Sequence, residues 1–211
     1  MSFPEGIKAI NLGCGTSIAP GWINLDNSPN ARLAKVPALR WLLWKVGILS
    51  EAQYRIPWSK SIIIRDLRKP LPFGDNSIDY VYTSHFLEHN TRQAARKLLC
   101  EVHRVLKPGG IARIVVPDLA SGARRYVEAL NHNPNDANAA AEFLQWMQLL
   151  RVDVRDPHLW MYDAPSLTAL LNQVGLVNVL ICKYQKGRVP DCEVLDNRPE
   201  ESLYLEAEKP G

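Results

Sequence analysis

Short apolar runs alternate along the chain with longer segments in which apolar residues recur every three or four positions. The runs are typical of buried β-strands, and the longer periodicity is typical of amphipathic helices. Seven strands are predicted, over 6–12, 21–26, 61–67, 77–84, 111–117, 176–184 and 201–209. Four helices are predicted outside the region 30–60, over 91–107, 120–131, 135–150 and 164–175. Because strands and helices alternate, the pattern favours an α/β fold with a mostly parallel sheet covered by helices on both faces.

The size and composition of the chain fit one domain. The 211 residues are 46% hydrophobic and 22% charged, so a sizeable core can form. A net charge of +3 is too small to indicate a nucleic-acid partner, and none is expected. No signal-peptide pattern is present, and no apolar run reaches the roughly 18 residues of a membrane span. We therefore expect a cytoplasmic protein with a single domain over 1–211 and a helical insertion at about 30–60.

The four cysteines do not suggest disulfides or a metal site. Cys14, Cys100, Cys182 and Cys192 form no Cys-x-x-Cys pair, and no histidines cluster beside them at zinc spacing. This pattern favours free thiols in a reducing compartment.

The first strand ends in a glycine-rich turn, Gly13-Cys14-Gly15. Glycines there allow a sharp turn and a close approach of the backbone to a ligand. A dinucleotide-binding turn would have a third glycine three residues later and an acid about 20 residues on. Position 18 is instead isoleucine, and the acid, Asp26, comes early. No Gly-Lys-Ser/Thr follows, so the turn indicates a nucleoside-like ligand without a diphosphate.

Four stretches in order then carry a resemblance to a known family. They are "INLGCGT", "GWINLD", "RDLRKPLPFGDNSIDYVYTSHFLEH" and "EVHRVLKPGGIARIVVPD", and "MYDAPSLTALLNQVGLVNV" adds to them. The chain resembles the class I S-adenosyl-L-methionine (SAM)-dependent methyltransferases, especially those with a type 11 methyltransferase domain. The resemblance implies a Rossmann-like fold with a seven-stranded, mostly parallel sheet whose last strand is antiparallel. It also implies SAM as cofactor and S-adenosyl-L-homocysteine as product.

The resemblance assigns residues to the cofactor. Asp26 would accept hydrogen bonds from the ribose hydroxyls, whereas the alternative makes it a turn residue. Asp66 and Leu67 would read the adenine edge, the alternative being that Asp66 opens a turn. Asn11 stands where the family often has an acid, so its contact with the methionine end would be neutral. The remaining residues expected at the cofactor are Leu12, Gly13, Cys14, Gly15 and Ser84.

The motif "SHFLEH" follows the fourth predicted strand, where methyl group and acceptor meet in the family. His85 is the candidate base, because a neutral imidazole can take a proton from an acceptor hydroxyl. Alternatively, His85 shapes the cofactor site. Glu88 and His89 would share a helical face with His85, an arrangement more typical of a helix start.

A second histidine, His158 in "DPHLWMYD", is the other candidate catalytic residue. With Trp160 and Tyr162 it would form a wall of the acceptor pocket, although core packing of these rings is an equal alternative. Methyl transfer from a sulfonium requires no metal, and none is expected.

The region 30–60 is basic and unusually apolar, with six basic residues and one acid. As a helix from Pro37, it would carry an aliphatic stripe and, on the opposite face, Trp41, Trp44 and Ile48. A surface helix needs only one apolar stripe, so the second predicts a partner. The candidates are a second subunit, a membrane surface, a lipid-linked acceptor, or packing within the chain. We expect a cap near the pocket mouth, with Trp41 and Trp44 facing the acceptor or a second subunit.

These features together predict a SAM-dependent methyltransferase acting on a hydroxyl of a small-molecule, saccharide or lipid-linked acceptor. One alternative is a SAM-binding module without catalytic activity. The other is an NAD-dependent oxidoreductase, which the missing third glycine disfavours.

Overall fold

The protein forms one seven-stranded sheet. The computed structural model describes residues 6, 8–147, 157–199 and 202–211. The strands are β1 (Ala9–Leu12), β2 (Ile23–Asp26), β3 (Ile63–Ile64), β4 (Ile78–Ser84), β5 (Leu106–Pro117), β6 (Val177–Cys182) and β7 (Ser202–Glu208). Their order is β3-β2-β1-β4-β5-β7-β6, and β7 runs antiparallel to both of its neighbours. The other neighbouring pairs are parallel, so the predicted seven-stranded sheet with an antiparallel last strand is confirmed.

Helices connect and cover the strands. They are α1 (Pro29–Ala34), α2 (Pro37–Lys45), α3 (Glu51–Arg55), α4 (Arg92–Val105), α5 (Leu119–His132), α6 (Ala139–Trp146), α7 (Ala164–Gln173) and α8 (Cys192–Leu195). A short 3₁₀ turn, Leu87–His89, lies between β4 and α4. The predicted helix over 135–150 extends beyond Met147, and that part falls outside the described residues. No helix of the described part combines the length and the apolar character needed to cross a bilayer.

The helix α4 shows how the sequence pattern builds the core. Thr91 caps its first turn by accepting from the Ala94 backbone N–H at 3.3 Å. Its buried face consists of Ala95, Leu98, Leu99, Val102 and Val105, as the spacing predicts. Burial of each Leu or Val side chain contributes about 1.5–3 kcal/mol to the free energy of folding. The packed helix therefore holds the turn that follows β4 in place.

Two predicted boundaries were wrong. The fifth strand was predicted over 111–117, after a helix ending at 107, but β5 already begins at Leu106, which pairs with Ile78. Pro108 ends the helix without preventing strand pairing, because its missing N–H falls at an irregular part of the ladder between β4 and β5. The single helix from Pro37 is also wrong. Gly47, at φ 75°, ends α2, and Ser50 caps the separate helix α3.

A buried arginine joins the centre of the sheet to the C-terminal segment. Arg113 in β5 donates to Asp196 at 2.6 Å and to Glu206 in β7 at 3.0 Å, and all three side chains are buried. The hydroxyl of Tyr82 donates to the same Asp196 carboxylate at 3.1 Å. A buried charge is tolerated only when it is paired and hydrogen-bonded, and this network meets both conditions.

We predict that Arg113→Met strongly destabilises the fold. The substitution removes the guanidinium and leaves the buried Asp196 carboxylate without its cation, whereas Glu206 keeps Arg188 at 3.5 Å. Breaking a buried pair of this kind costs about 3–5 kcal/mol of unfolding free energy. Urea denaturation followed by circular dichroism measures the loss. The control is Arg55→Met, since Arg55 pairs with Glu51 on the surface and its loss should be much smaller. Equal losses in the two variants would contradict the role given to Arg113.

Candidate active site

A cleft opens at the carboxyl ends of β1, β2 and β4. The strand order reverses between β1 and β4, and ligands of parallel α/β sheets bind at such switch points. One part of the cleft measures about 450 Å³, and an adjoining part measures about 320 Å³. Both volumes fall within the range of small-molecule sites. The predicted site residues that line the cleft are Asn11, Gly13, Cys14, Gly15, Asp26, Asp66, Leu67, Ser84 and His85.

The glycine turn requires glycine for two separate reasons. Gly13 and Gly15 have φ of 66° and 53°, a region that disfavours residues with a Cβ. In addition, a Cβ on Gly13 would lie 2.5 Å from the Phe86 ring. The N–H groups of Gly13 and Cys14 both donate to the Leu25 carbonyl, at 2.9 and 3.1 Å. The turn is therefore fixed between β2 and the loop after β4.

Burial makes Cys14 unreactive within this turn. It raises the pKa of the Cys14 thiol to about 12, and the nearby Asp26 carboxylate acts in the same direction. All four cysteines are free, as the sequence predicts. Cys14 can therefore contribute its backbone and its volume to the cleft, but not a thiolate.

The Asp26 carboxylate both closes the glycine turn and borders the cleft. One oxygen accepts from the Gly15 N–H at 2.9 Å, and the other accepts from the Ser28 N–H at 2.7 Å. Each carboxylate oxygen can accept a second hydrogen bond. Asp26 can therefore stabilise the turn and still accept hydrogen bonds from a ligand. The short segment between Gly15 and Asp26 allows the direct hydrogen bond between these two residues.

Asn11 can offer a ligand only its amide oxygen. Its side chain is buried, and its amide nitrogen donates to the Ser17 carbonyl at 2.8 Å and to Asn24 Oδ1 at 3.2 Å. Both amide hydrogens are then used within the chain. The oxygen remains as a neutral acceptor for a cationic group such as an ammonium.

Asp66 borders the cleft but is engaged with Arg68. The guanidinium donates to both carboxylate oxygens at 2.9 Å, and these hydrogen bonds lower the pKa of Asp66 to about 2. The Arg68 side chain is 75% exposed, so the pair lies at the surface. Exposed ion pairs contribute about 0–1 kcal/mol to the free energy of folding. An adenine amino group can therefore replace the Arg68 guanidinium as the hydrogen-bond donor to Asp66.

His85 is held in an unusual conformation at the switch point. Its φ is 49°, in the left-handed region, and its N–H donates to the Val115 carbonyl at 2.9 Å. Its Nε2 lies 2.8 Å from the hydroxyl of Ser202, and its Nδ1 lies 3.3 Å from Glu88 Oε1. Strained backbone of this kind tends to occur at functional sites.

Ser202 was missed by the sequence analysis. It lies at the start of β7, where the antiparallel register places it opposite Pro117 at the end of β5. No local motif surrounds it, so no signal in the sequence could have connected it with His85.

Glu88 is the centre of a buried cluster behind His85. Its carboxylate is fully buried, and the Nε2 atoms of His89 and His158 each lie 4.0 Å from its Oε1. The rings of His89 and His158 meet edge to face at a centroid distance of 5.0 Å. The sequence revealed no set of metal ligands, whereas the fold brings Glu88, His89 and His158 together as a group able to hold an ion.

The predicted wall of His158, Trp160 and Tyr162 does not line the described cleft. His158 and Tyr162 are buried, and Trp160 is partly exposed beside the Arg92 guanidinium, 4.7 Å from the ring centroid. Core packing, the alternative considered for these rings, describes His158 and Tyr162 better. Leu12 is likewise a fully buried core residue.

The region 30–60 reaches the cleft through its last residues rather than through α2. Ile56 and Trp58 line the cleft, a role that the sequence did not reveal. Trp44 instead stacks on Tyr54 with ring centroids 4.6 Å apart, so its predicted position facing the acceptor or a second subunit is corrected to packing within the cap. Trp41 remains 50% exposed on α2.

Comparisons with known proteins agree with this architecture. A family model described as a methyltransferase domain matches residues 45–114. An uncharacterised methyltransferase of Synechocystis sp. is 29% identical over 206 residues, covering 94% of this chain and 80% of that protein.

Solved structures show the same fold. A SAM-dependent methyltransferase from Archaeoglobus fulgidus has a TM-score of 0.51 at 16% identity, covering 97% of this chain and 87% of that one. The phosphoethanolamine N-methyltransferase 2 of Haemonchus contortus in complex with SAM has a TM-score of 0.53 at 14% identity, covering 100% of this chain and 50% of that one.

The family model, the full-length relative and the fold agree on one assignment. In sequence and in fold the chain is therefore similar to the class I SAM-dependent methyltransferases, with SAM as the methyl donor.

Proposed function

We propose that the enzyme transfers the SAM methyl group to a hydroxyl oxygen of a small-molecule or saccharide acceptor, with His85 as base. The observation that carries this proposal is the imidazole of His85 held between a buried carboxylate and a hydroxyl at the switch point. An alcohol retains its proton at neutral pH, so its methylation benefits from a positioned base.

The surroundings of His85 define which nitrogen accepts the proton. The Glu88 Oε1 atom lies 3.3 Å from Nδ1, close enough to attract an N–H although the two atoms do not form a hydrogen bond, so the tautomer with the hydrogen on Nδ1 is favoured. Nε2 then holds the lone pair and accepts from the Ser202 hydroxyl. As the acceptor oxygen attacks the methyl carbon, the carbon–sulfur bond breaks and neutral S-adenosyl-L-homocysteine leaves. The hydroxyl proton passes to Nε2, either directly or through the oxygen of Ser202.

The cofactor occupies the two parts of the cleft in this proposal. Asp26 accepts hydrogen bonds from the ribose hydroxyls, and the Asn11 oxygen accepts from the ammonium of the methionine end. Asp66 and Leu67 take the adenine edge once Arg68 has moved. The remaining lining of the site comes from Gly13, Cys14, Gly15 and Ser84. Since the sulfonium is already an activated donor, alignment of the two reactants supplies much of the rate.

The exposed face of α2 supports an acceptor located at a membrane surface. The apolar residues that are at least 42% exposed here are Leu39, Trp41 and Leu42 on α2, with Val46 and Ile48 in the turn that follows it. Six basic residues and one acid accompany them in 30–60. Exposed apolar patches mark contacts, and tryptophan beside basic residues suits an anionic lipid surface. We propose that this face rests on the membrane that carries a lipid-linked saccharide acceptor.

The role of His85 is tested by His85→Asn, which tolerates the left-handed backbone. We expect methyl transfer to fall about 10²–10⁴-fold because the base is lost, with SAM affinity nearly unchanged. Transfer of labelled methyl from SAM to a panel of hydroxyl compounds measures the rate, and calorimetry measures the affinity. A loss of affinity with unchanged turnover per bound SAM would make His85 a residue that shapes the cofactor site. A methyl group found on nitrogen or carbon by mass spectrometry would overturn the hydroxyl assignment.

The role of Asp26 is tested by Asp26→Ala. Losing charge-assisted bonds of roughly 1.5–3 kcal/mol should weaken SAM binding by more than tenfold in calorimetry. Circular dichroism checks that the variant is folded, which matters because Asp26 also holds the glycine turn. Asp75→Ala is the matched control, since Asp75 is exposed and lies outside the cleft residues. Equal affinity in the Asp26 and Asp75 variants would remove the ribose assignment.

The role of the α2 face is tested by replacing both Trp41 and Ile48 with serine. Both side chains are exposed, so the fold should tolerate the change, and co-sedimentation with anionic vesicles should decrease severalfold. SAM affinity should stay unchanged. Val127→Ser on α5 is the control, because Val127 is a similarly exposed apolar residue elsewhere. Unchanged vesicle binding, or a dimer in sedimentation velocity that the double variant abolishes, would overturn the membrane assignment.

A further inference from the structure

The Glu88 carboxylate is buried without a hydrogen-bond donor. Its side chain has no exposed surface, and neither oxygen finds a hydrogen-bond partner among the described residues. An unpaired buried carboxylate costs several kcal/mol, so a proton, an ion or a ligand has to compensate it. Within 4.0 Å of it, in the described part of the chain, the basic groups are the imidazoles of His85, His89 and His158.

The distances in this cluster are too long for direct hydrogen bonds but close to those across a metal ion. His89 Nε2 and His158 Nε2 each lie 4.0 Å from Glu88 Oε1, and potential ligand atoms of the three residues lie within 4.8 Å of one another. Zinc bonds of about 2.0–2.2 Å place neighbouring ligand atoms roughly 3.3–3.6 Å apart in tetrahedral or trigonal geometry. To complete such a set, the two 4.0 Å distances would shorten by about half an ångström, and a distance at the 4.8 Å limit by about 1.2–1.5 Å.

The hydrogen bond on the far side of His89 sets its tautomer for metal binding. Its Nδ1 lies 3.3 Å from the Pro157 carbonyl, which can only accept, so Nδ1 carries the hydrogen. Nε2 then presents a lone pair towards Glu88. The lone pair of His89 Nε2 and the Glu88 carboxylate would repel each other, whereas a cation between them would be bound by both. A backbone carbonyl behind a histidine ring is the common support of a metal ligand.

His158 completes the donor set from a separate loop. The His158 Nε2 atom lies 4.0 Å from Glu88 Oε1, and a neutral imidazole is the form of histidine that binds metals. The backbone fixes this loop over the cluster, because the Leu159 N–H donates to the Glu88 carbonyl at 2.7 Å.

We propose that Glu88, His89 and His158 bind one divalent transition-metal ion of the zinc class. Two imidazoles and one carboxylate are a common donor set for such ions, and three protein ligands leave a position open. Oε1 of Glu88 would bind the ion, and His85 Nδ1 lies 3.3 Å from the same oxygen. An ion there would neutralise the carboxylate, and its open position could hold an oxygen ligand beside His85. The site goes beyond the proposed methyl transfer and does not depend on it.

Metal titration tests the site directly. The untagged protein is treated with a chelator, dialysed and titrated with Zn²⁺ in a calorimeter, without SAM or acceptor. Co²⁺ is then added in a parallel experiment, because visible absorption bands report its coordination by the protein. We expect one equivalent to bind, with an affinity at least tenfold lower in Glu88→Gln and in His89→Ala. His132→Ala is the matched control, because His132 is an exposed histidine at the end of α5, and it should bind as the parent does.

The outcomes separate this proposal from the proposed function. Absence of saturable binding, or an unchanged affinity in both cluster variants, would overturn the metal site and leave the hydroxyl methylation standing. Intact metal binding with methyl transfer to nitrogen or carbon would overturn only the methylation proposal. If circular dichroism shows that Glu88→Gln does not fold, His89→Ala decides alone, because its ring is partly exposed and its removal leaves the core intact.

Discussion

The charge of Arg113 constrains the whole C-terminal half of the sheet. A guanidinium buried in β5 requires carboxylates, and the chain supplies them from Asp196 and from Glu206 in β7. These ion pairs hold the segment before β7 against the sheet and favour a single register between β5 and β7, since a slip of one residue would turn Glu206 to the other face. In that register Ser202 lies opposite Pro117, at the end of the sheet where His85 lies. The buried charge of Arg113 thus helps to place the Ser202 hydroxyl beside His85, the candidate base.

Arg113 and Glu88 are both buried, but they differ in how their charges are compensated. Arg113 has carboxylates at hydrogen-bonding distance and further bonds to backbone carbonyls, so its burial is satisfied within the fold. Glu88 has only imidazoles, the nearest at 3.3 Å and the others at 4.0 Å. A satisfied buried network stabilises a unique structure, whereas an unsatisfied one is unfavourable unless a proton, an ion or a ligand completes it. We therefore infer that Arg113 stabilises the fold, whereas Glu88 is the residue at which an ion or a ligand would bind.

The sequence predicts those parts of the fold and site that depend on local signals. The buried face of α4 follows from its helical spacing, and Gly13 follows from the need for a positive φ at the end of β1. The break in the 30–60 helix was missed because its apolar spacing continues past Gly47. Ser202 could not be foreseen, since strand register is decided by contacts between distant residues. The same holds for the approach of His158 to His89, which requires a loop far along the chain to dock on Glu88.

The two sides of the cleft are built with different rigidity, and this difference bears on specificity. On the cofactor side, the Gly15 N–H donates directly to the Asp26 carboxylate. This hydrogen bond holds the glycine turn and the Asp26 side chain in place before a ligand binds. Preorganisation of this kind reduces the ordering cost of binding a constant ligand such as SAM. On the acceptor side, α2 has no buried residue and Trp58 keeps an unpaired buried indole N–H. A wall with few core contacts can change without disturbing the sheet. We therefore expect the choice of acceptor to depend on Ile56 and Trp58, the residues through which the region 30–60 lines the cleft, and the cofactor to bind at the strand ends.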